Sequence, residues 1–281
     1  MGEANLEHWR SWIGRARTAS DPLVGFPARA LANALDMRWQ PQPGEELPPT
    51  WHWLYFLDTP AAAGTGPDGH PLKGGFLPPI PLPRRMWASG ELRIERPMIL
   101  GVAGEKQSKV VAVDVKNGAS GEFVLVTVEH ILHQDGRLCI RELQRLVYRE
   151  RPTRGDAPPP GESPDEAQWC VNVTPNPVLL FRYSALTYNA HRIHYDRDYA
   201  VNEELYPGLV VQAPLLATML LATLAERTRG RRISAFDYRA VRPAFADAAI
   251  ALHGAFRGDR VDTWTVDQDG FVTMKASAVL G

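Results

Sequence analysis

Hydrophobic and polar residues alternate in two separated blocks of this chain. The first block runs KVVAVDVKN, a GASG turn, EFVLVTVEHILH, a QDGR turn and LCIRELQRLVYRE. The second runs AAIALHGAF, a RGDR turn, VDTWTVD, a QDG turn and FVTMKASAVL. Period-two alternation between Gly- and Asp-bearing turns predicts antiparallel hairpins. Each block is expected to be a three-strand meander. Each follows an R-x-x-R-P stretch, LRIERP at 92–97 and YRAVRP at 238–243. The pattern is a repeat.

The copies differ in what comes before that stretch. In the second half, APLLATMLLATLAERTRGRR predicts a helix over 213–229. Pro214 suits its first turn and Gly230 the position just past its end. Its first four turns are apolar nearly all round, which predicts burial on every side. In the first half the same place holds GGFLPPIPLPRRMWASG. So many prolines exclude a helix and predict an extended segment. The fold class is α+β with two similar halves. The Pro/Gly/acid-rich stretch from Arg151 reads as a linker. It divides the chain into 1–150, a linker at 151–168, and 169–281. At the N-terminus, Leu6, Trp9, Ile13 and Ala16 recur at helical spacing and predict an amphipathic docking helix.

Composition narrows the function. A formal net charge of -1 over 281 residues gives no basic face for nucleic acid. Cys139 and Cys170 are far apart, so they form neither a disulfide framework nor a metal clip, and they suit a reducing cytosol. The N-terminus lacks the apolar stretch of a secretory signal, and no apolar run is long enough to span a bilayer. A cytoplasmic protein with no membrane partner is expected. GTGPDG at 64–69 matches G-x-G-x-x-G literally, but it follows no strand, opens no helix and contains Pro67. It does not predict dinucleotide binding.

The chemistry is concentrated in YNAHRIHYD, residues 188–196. A histidine near neutral pKa can take and return a proton. An asparagine can orient a water without trading protons. His191 and His194 have a spacing that a metal pair would use, but no HExxH or CxxC supplies further ligands, so no metal and no cofactor is expected. Asp196 could fix the tautomer of His194 or cap the following turn.

In context, FRYSALTYNAHRIHYD, YPGLVVQAPL and YRAVRPAF, together with GHPLKGGFLPPIPLPRRMWASGEL in the first half, resemble the MaoC-like, type 2 enoyl-thioester hydratase/dehydratase superfamily. The resemblance covers most of the chain. It is greatest to the branch of mitochondrial-type 3-hydroxyacyl-thioester dehydratases and of itaconyl-CoA and mesaconyl-C4-CoA hydratases. It implies a double hotdog, two antiparallel sheets each wrapped round a central helix, with the first-half helix degenerate. The first half would then be a non-catalytic cover and the second the catalytic repeat. The family's D-x-N-P-(apolar)-H motif falls with its histidine on His194 and its aspartate on Asn189.

The resemblance implies a hydro-lyase that hydrates an enoyl-CoA, itaconyl-CoA or mesaconyl-C4-CoA giving citramalyl-CoA. His194 would be the general acid/base and Asn189 would position the water. The N–H groups of Ala213 and Leu215, at the start of the buried helix, would stabilise the thioester oxyanion. His191, Asp196 and Tyr188 would support these groups. Arg84, Arg85, Arg239 and Arg242 would bind CoA phosphates or a substrate carboxylate. Alternatives are a 3-hydroxyacyl-ACP or -CoA dehydratase of fatty-acid synthesis, a thioesterase, and a catalytically dead acyl-thioester-binding module. The partner is an acyl-CoA or acyl-ACP thioester, and a homodimer is possible.

Overall fold

The computed structural model describes residues 3–118, 121–151, 161–228 and 230–281. Residues 152–160 of the linker read at 151–168, and the middle of the GASG turn, lie outside the described residues.

The alternating blocks form strands as their patterns require. In the first half they are β5 (Gly104–Gly118), β6 (Gly121–Gln134) and β7 (Arg137–Arg149), and in the second β10 (Ile250–Arg257), β11 (Arg260–Val266) and β12 (Val272–Leu280). The segments before the R-x-x-R-P stretches are β3 (Arg84–Ile94) and β9 (Ile233–Ala240). Two shorter strands, β1 (Ala16–Asp21) and β8 (Trp169–Val173), pair with β5 and β10. Their sequences, ARTASD and WCVNV, lack the clean alternation that would have announced them. A minor two-strand ladder joins β2 (Glu46–Leu47) to β4 (Met98–Ile99).

The ten-stranded sheet has the order β1-β5-β6-β7-β3-β9-β12-β11-β10-β8, and every pairing is antiparallel. Read outward from the centre, the two halves have the same strand sequence. The halves therefore join edge to edge through β3 and β9, which removes two sheet edges at once. The repeat extends further than the alternation suggested. Helix α2 (Gly25–Ala34) follows β1 as α3 (Pro177–Leu186) follows β8, and the two helices pack together. Asn176 caps α3, its Oδ1 accepting from the Leu179 N–H at 2.9 Å, with Pro177 in the first turn.

Helix α4 spans Ala213–Ala225 and packs against β3, β10, β11 and β12. Leu215, Ala217, Leu220 and Leu224 are completely buried, as an all-round apolar helix must be. It ends four residues before the expected 229. In the first half no helix fills this place. Ile80 and Leu82 of the Pro-rich segment instead pack on Val110, Val124, Val126 and Tyr148 of the sheet. Their side chains cover the face that a helix would otherwise cover.

The N-terminal helix, α1 (Glu3–Arg10), is shorter than the periodicity predicts. Trp9 is buried on the first-half core, but Ile13 is exposed and Ala16 opens β1. Gly14, at φ 93°, sits in the turn between helix and strand.

The β3–β9 seam constrains one residue closely. A Cβ on Gly90 would lie 2.6 Å from the ring of the buried Tyr238. Gly90→Ala should therefore lower stability by about 1–3 kcal/mol, the range for overpacking. Urea unfolding of the variant checks this, and an unchanged midpoint would contradict it.

Candidate active site

A cavity of about 2150 Å³ lies between the halves, larger than the usual small-ligand pocket. His194, Asn189, His191, Ala213 and, from the first half, His70 and Arg85 are on its walls.

His194 sits in a short 3₁₀ turn, Arg192–His194, and is buried. Its Nδ1–H donates to the Val210 carbonyl at 2.7 Å. A carbonyl only accepts, so Nδ1 carries the proton and Nε2 keeps a lone pair. Burial pushes the imidazole pKa down to about 4; the Val210 bond opposes this and His70 adds to it. His194 is thus a neutral base at neutral pH.

Asn189 lies three residues past helix α3. Its Oδ1 accepts from the His191 N–H at 3.1 Å, which shapes the turn. Its amide nitrogen has no partner among the described residues and stays available as a donor.

Ala213 and Leu215 both precede the first intrahelical acceptor bond of α4, Leu216 N–H to the Gln212 carbonyl at 3.1 Å. Ala213 is on the cavity wall, whereas Leu215 is fully buried and is not among the lining residues. Gln212 fixes this helix end. Its Nε2 donates to the Leu180 carbonyl at 3.0 Å and to Ser184 Oγ at 2.9 Å, tying α4 to α3.

The first half supplies side chains to the same place. Residues 65–71 form a closed loop, with Gly66 N–H to the His70 carbonyl at 2.7 Å and a Thr65–Pro71 bridge. His70 Nδ1–H donates to Asp68 Oδ2 at 3.0 Å. The His70 ring lies 4.1 Å from that of His191, which meets the His194 ring edge-on at 5.4 Å. The loop is TGPDGHP. It is neither a nucleotide loop nor a passive connection, and its Asp-Gly-His was the available signal. Burial pushes the Asp68 carboxyl up most strongly, but the hydrogen bonds from His70 and the electrostatic influence of His70 and Arg85 together outweigh it, so the pKa lies below the usual value. Burial lowers the pKa of His70 and, further, of His191.

Asp68, His70 and His191 present ligand atoms that all lie within 4.8 Å of one another. Asp68 is already bound to His70, and the positive charge of Arg85 acts on all three. The arrangement is a hydrogen-bonded array beside a cation, which disfavours a further divalent cation.

Other expected site residues are elsewhere. Asp196 does not fix His194: Oδ2 accepts from Arg192 Nη2 at 2.8 Å and Oδ1 from the Tyr199 N–H at 3.1 Å. The backbone carbonyl of Val210 does that work instead. Tyr188 is 55% exposed, at φ 50°, and its side chain does not line the cavity. Arg239 is exposed and lies outside this cavity, because the alternation of β9 turns it to the other face. Arg84 lines the cavity but is spent: Nε and Nη2 donate to the buried Glu204, and the guanidinium covers Tyr206. Arg242 lines the cavity with its guanidinium over Phe271.

The family model for hydroxyacyl-thioester dehydratase type 2 matches residues 50–246, which hold both the His70 loop and the His194 motif. The chain belongs to the hydroxyacyl-thioester dehydratase type 2 family. Like its named relatives, this family member is a hydro-lyase acting on an acyl thioester. It is 42% identical over 275 residues to mesaconyl-C(4)-CoA hydratase of Chloroflexus aurantiacus, covering 97% of this chain and 98% of that one. It is 28% identical over 249 residues to the mitochondrial hydroxyacyl-thioester dehydratase type 2 of Schizosaccharomyces pombe, covering 79% and 83%. Among solved structures it is similar to a MaoC-like dehydratase from Phytophthora capsici, with TM-score 0.69 and 13% identity over 98% of this chain and 97% of that one. A Mycobacterium tuberculosis protein with a double hotdog fold matches with TM-score 0.59 and 13% identity, covering 96% of each chain. The fold of this dehydratase-family chain is a double hotdog.

Along the same cavity, His130 accepts from Ser108 and donates to Gln144, and burial pushes its pKa down to about 4. His130 and His194 both titrate lower folded than at their ordinary value of 6.5. Between those pH values the unfolded chain binds more protons. Stability is therefore present above pH 6.5 and is lost as pH falls towards about 4, by ~1.4 kcal/mol per pH unit for each group. Urea unfolding at several pH values between 7 and 4 checks the sign, and a flat profile would refute it.

The approach of the two loops gives a further prediction. A Cβ on Gly69, at φ 89°, would lie 1.7 Å from the Ala190 carbonyl oxygen. Gly69→Ala should separate His70 from His191 and lower catalytic efficiency about 10- to 100-fold, as small misplacements near chemistry do. Wild-type kinetics from a folded Gly69→Ala enzyme would show that the close approach is dispensable.

Proposed function

We propose that this protein hydrates an enoyl-CoA whose acyl group is a C5 dicarboxylate, mesaconyl-C4-CoA giving citramalyl-CoA. The observation that supports it most directly is His194: a buried, neutral imidazole with its proton fixed on Nδ1 and a lone pair on Nε2 beside the cavity. The 42% identity to a mesaconyl-C(4)-CoA hydratase over nearly the whole chain supports the substrate.

In this reading the thioester oxygen sits at the start of α4, against the Ala213 N–H and the positive end of the helix dipole. Asn189 holds a water over the β-carbon through its free amide nitrogen. His194 Nε2 takes a proton from that water as its oxygen bonds to the β-carbon. The α-carbon then takes a proton back from His194. H and OH have been added across the double bond, nothing is oxidised, and the histidine is restored. The 169–281 half carries the catalytic residues. The 1–150 half shapes the pocket and adds Asp68 and His70 beside them. CoA phosphates would meet Arg242 and Arg149 on the cavity wall. Both cysteines are free, which supports a cytoplasmic setting.

The test is loss of enoyl-thioester absorbance on adding the protein to mesaconyl-C4-CoA and, separately, crotonyl-CoA. His194→Ala should lower kcat by about 10²–10⁴-fold, the usual worth of an acid/base group. The acid limb of the wild-type profile should lie near 4 rather than 6.5. Near-wild-type turnover by His194→Ala would sink the assignment, and a preference for crotonyl-CoA would move the substrate to simple acyl chains.

A further inference from the structure

The two adjacent arginines at the start of β3 differ sharply. Both are buried, at 7% and 6% exposure, and both line the cavity. Arg84 is neutralised by Glu204. Arg85 has no carboxylate within ion-pair distance among the described residues. Its Nη2 donates to the Pro71 carbonyl at 3.1 Å, and it interacts with the Tyr148 hydroxyl. Neither partner carries the opposite charge. Lys73, close enough to interact with Arg85, adds a second cation whose Nζ donates to the Leu82 carbonyl. Of the nearby carboxylates, Asp68 is committed to His70 and Glu150 acts on Lys73, and neither forms an ion pair with Arg85. With the three histidines neutral, Arg85 is a buried cation with no ion-pair partner among the described residues. A buried cation without a counter-ion is costly, and a built site of this kind is completed by an anion.

The place of the charge says which anion. Arg85 acts on both His70 and His191, and His191 lies against His194. Arg85 also donates to the carbonyl of Pro71, the residue after His70, and shares the cavity wall with His70, His191 and His194, which places it beside the reacting centre. In an enoyl thioester that bears a carboxylate on its β-carbon, that carboxylate is one bond from the carbon that water attacks.

We propose that Arg85 is the receptor for the free carboxylate of the acyl group, and that it selects dicarboxylic over simple acyl thioesters. This rests on the hydratase reading above. A guanidinium can hold the carboxylate with two hydrogen bonds, which orients the β-carbon as well as binding it. Arg84 has no such role, because its fork is already filled.

The experiment compares saturated thioesters, which bind without reacting, and then substrates. Calorimetry on the wild-type protein should show succinyl-CoA binding about 10- to 100-fold tighter than butyryl-CoA, the worth of a charged hydrogen-bonded contact. Arg85→Met should abolish that preference, and Arg85→Lys should keep part of it. In turnover, kcat/KM of Arg85→Met should fall at least tenfold more for mesaconyl-C4-CoA than for crotonyl-CoA. Equal losses on both substrates, or no preference for succinyl-CoA in the wild type, would overturn the proposal. The wild-type binding comparison needs no variant, so a misfolded Arg85→Met protein leaves the test intact. A wild-type protein that prefers succinyl-CoA but hydrates neither substrate would keep the carboxylate site and refute the hydratase reading.

Discussion

The site depends on one contact between the halves, the seating of the 65–71 loop on the 189–194 turn. Gly69 has no side chain, and the Ala190 carbonyl occupies the space a Cβ would take. Arg192 completes the joint: its backbone N–H donates to the Asp68 carbonyl at 2.9 Å and its Nη1 to the Pro67 carbonyl at 3.0 Å. Arg192 also binds Asp196, so the turn is held from both sides. This joint brings the His70 ring within 4.1 Å of the His191 ring, tilted by 37° to it.

Burial then sets the chemistry. Removing imidazoles from water penalises their charged forms, and among the described residues no carboxylate hydrogen-bonds His191 or His194 to reverse this. The result is a group of neutral rings, one with its tautomer fixed by a backbone carbonyl. A backbone acceptor suits that task, because it orients the ring without adding negative charge that would raise the pKa. The motif position given to an aspartate elsewhere in the superfamily holds Asn189 here. A carboxylate beside these histidines, Asp68, comes from the other half of the chain.

The double repeat explains why such an arrangement is available. Each half is the same strand order read outward from β3 or β9. One half keeps its central helix, whose first residue, Ala213, lies on the cavity wall. The other replaces it with a Pro-rich segment that fills the sheet with Ile80 and Leu82 and then enters β3 as two adjacent arginines. Where the second half has a helix, the first half thus has an extended segment that leads two cationic side chains to the cavity wall.

Much of this was legible in the sequence because periodicity records which side of a strand or helix meets water. The two meanders, the all-apolar helix, the helix-free Pro-rich segment and the YNAHRIHYD cluster are local patterns. Short-range signals also carried Asn189 and His194. What adjacency in sequence does not record is which groups meet across the fold. Asp196 is two residues from His194 yet binds Arg192, while Asp68 lies over a hundred residues away and lies beside the same histidines. Arg84 and Arg85 are chemically identical on paper, and Glu204 alone separates a spent cation from an open one. Tyr188 and Arg239 looked equally suitable until the turn and the strand pointed them outward. Charge, burial and facing are properties of the assembled sheet, so the tertiary structure decided them.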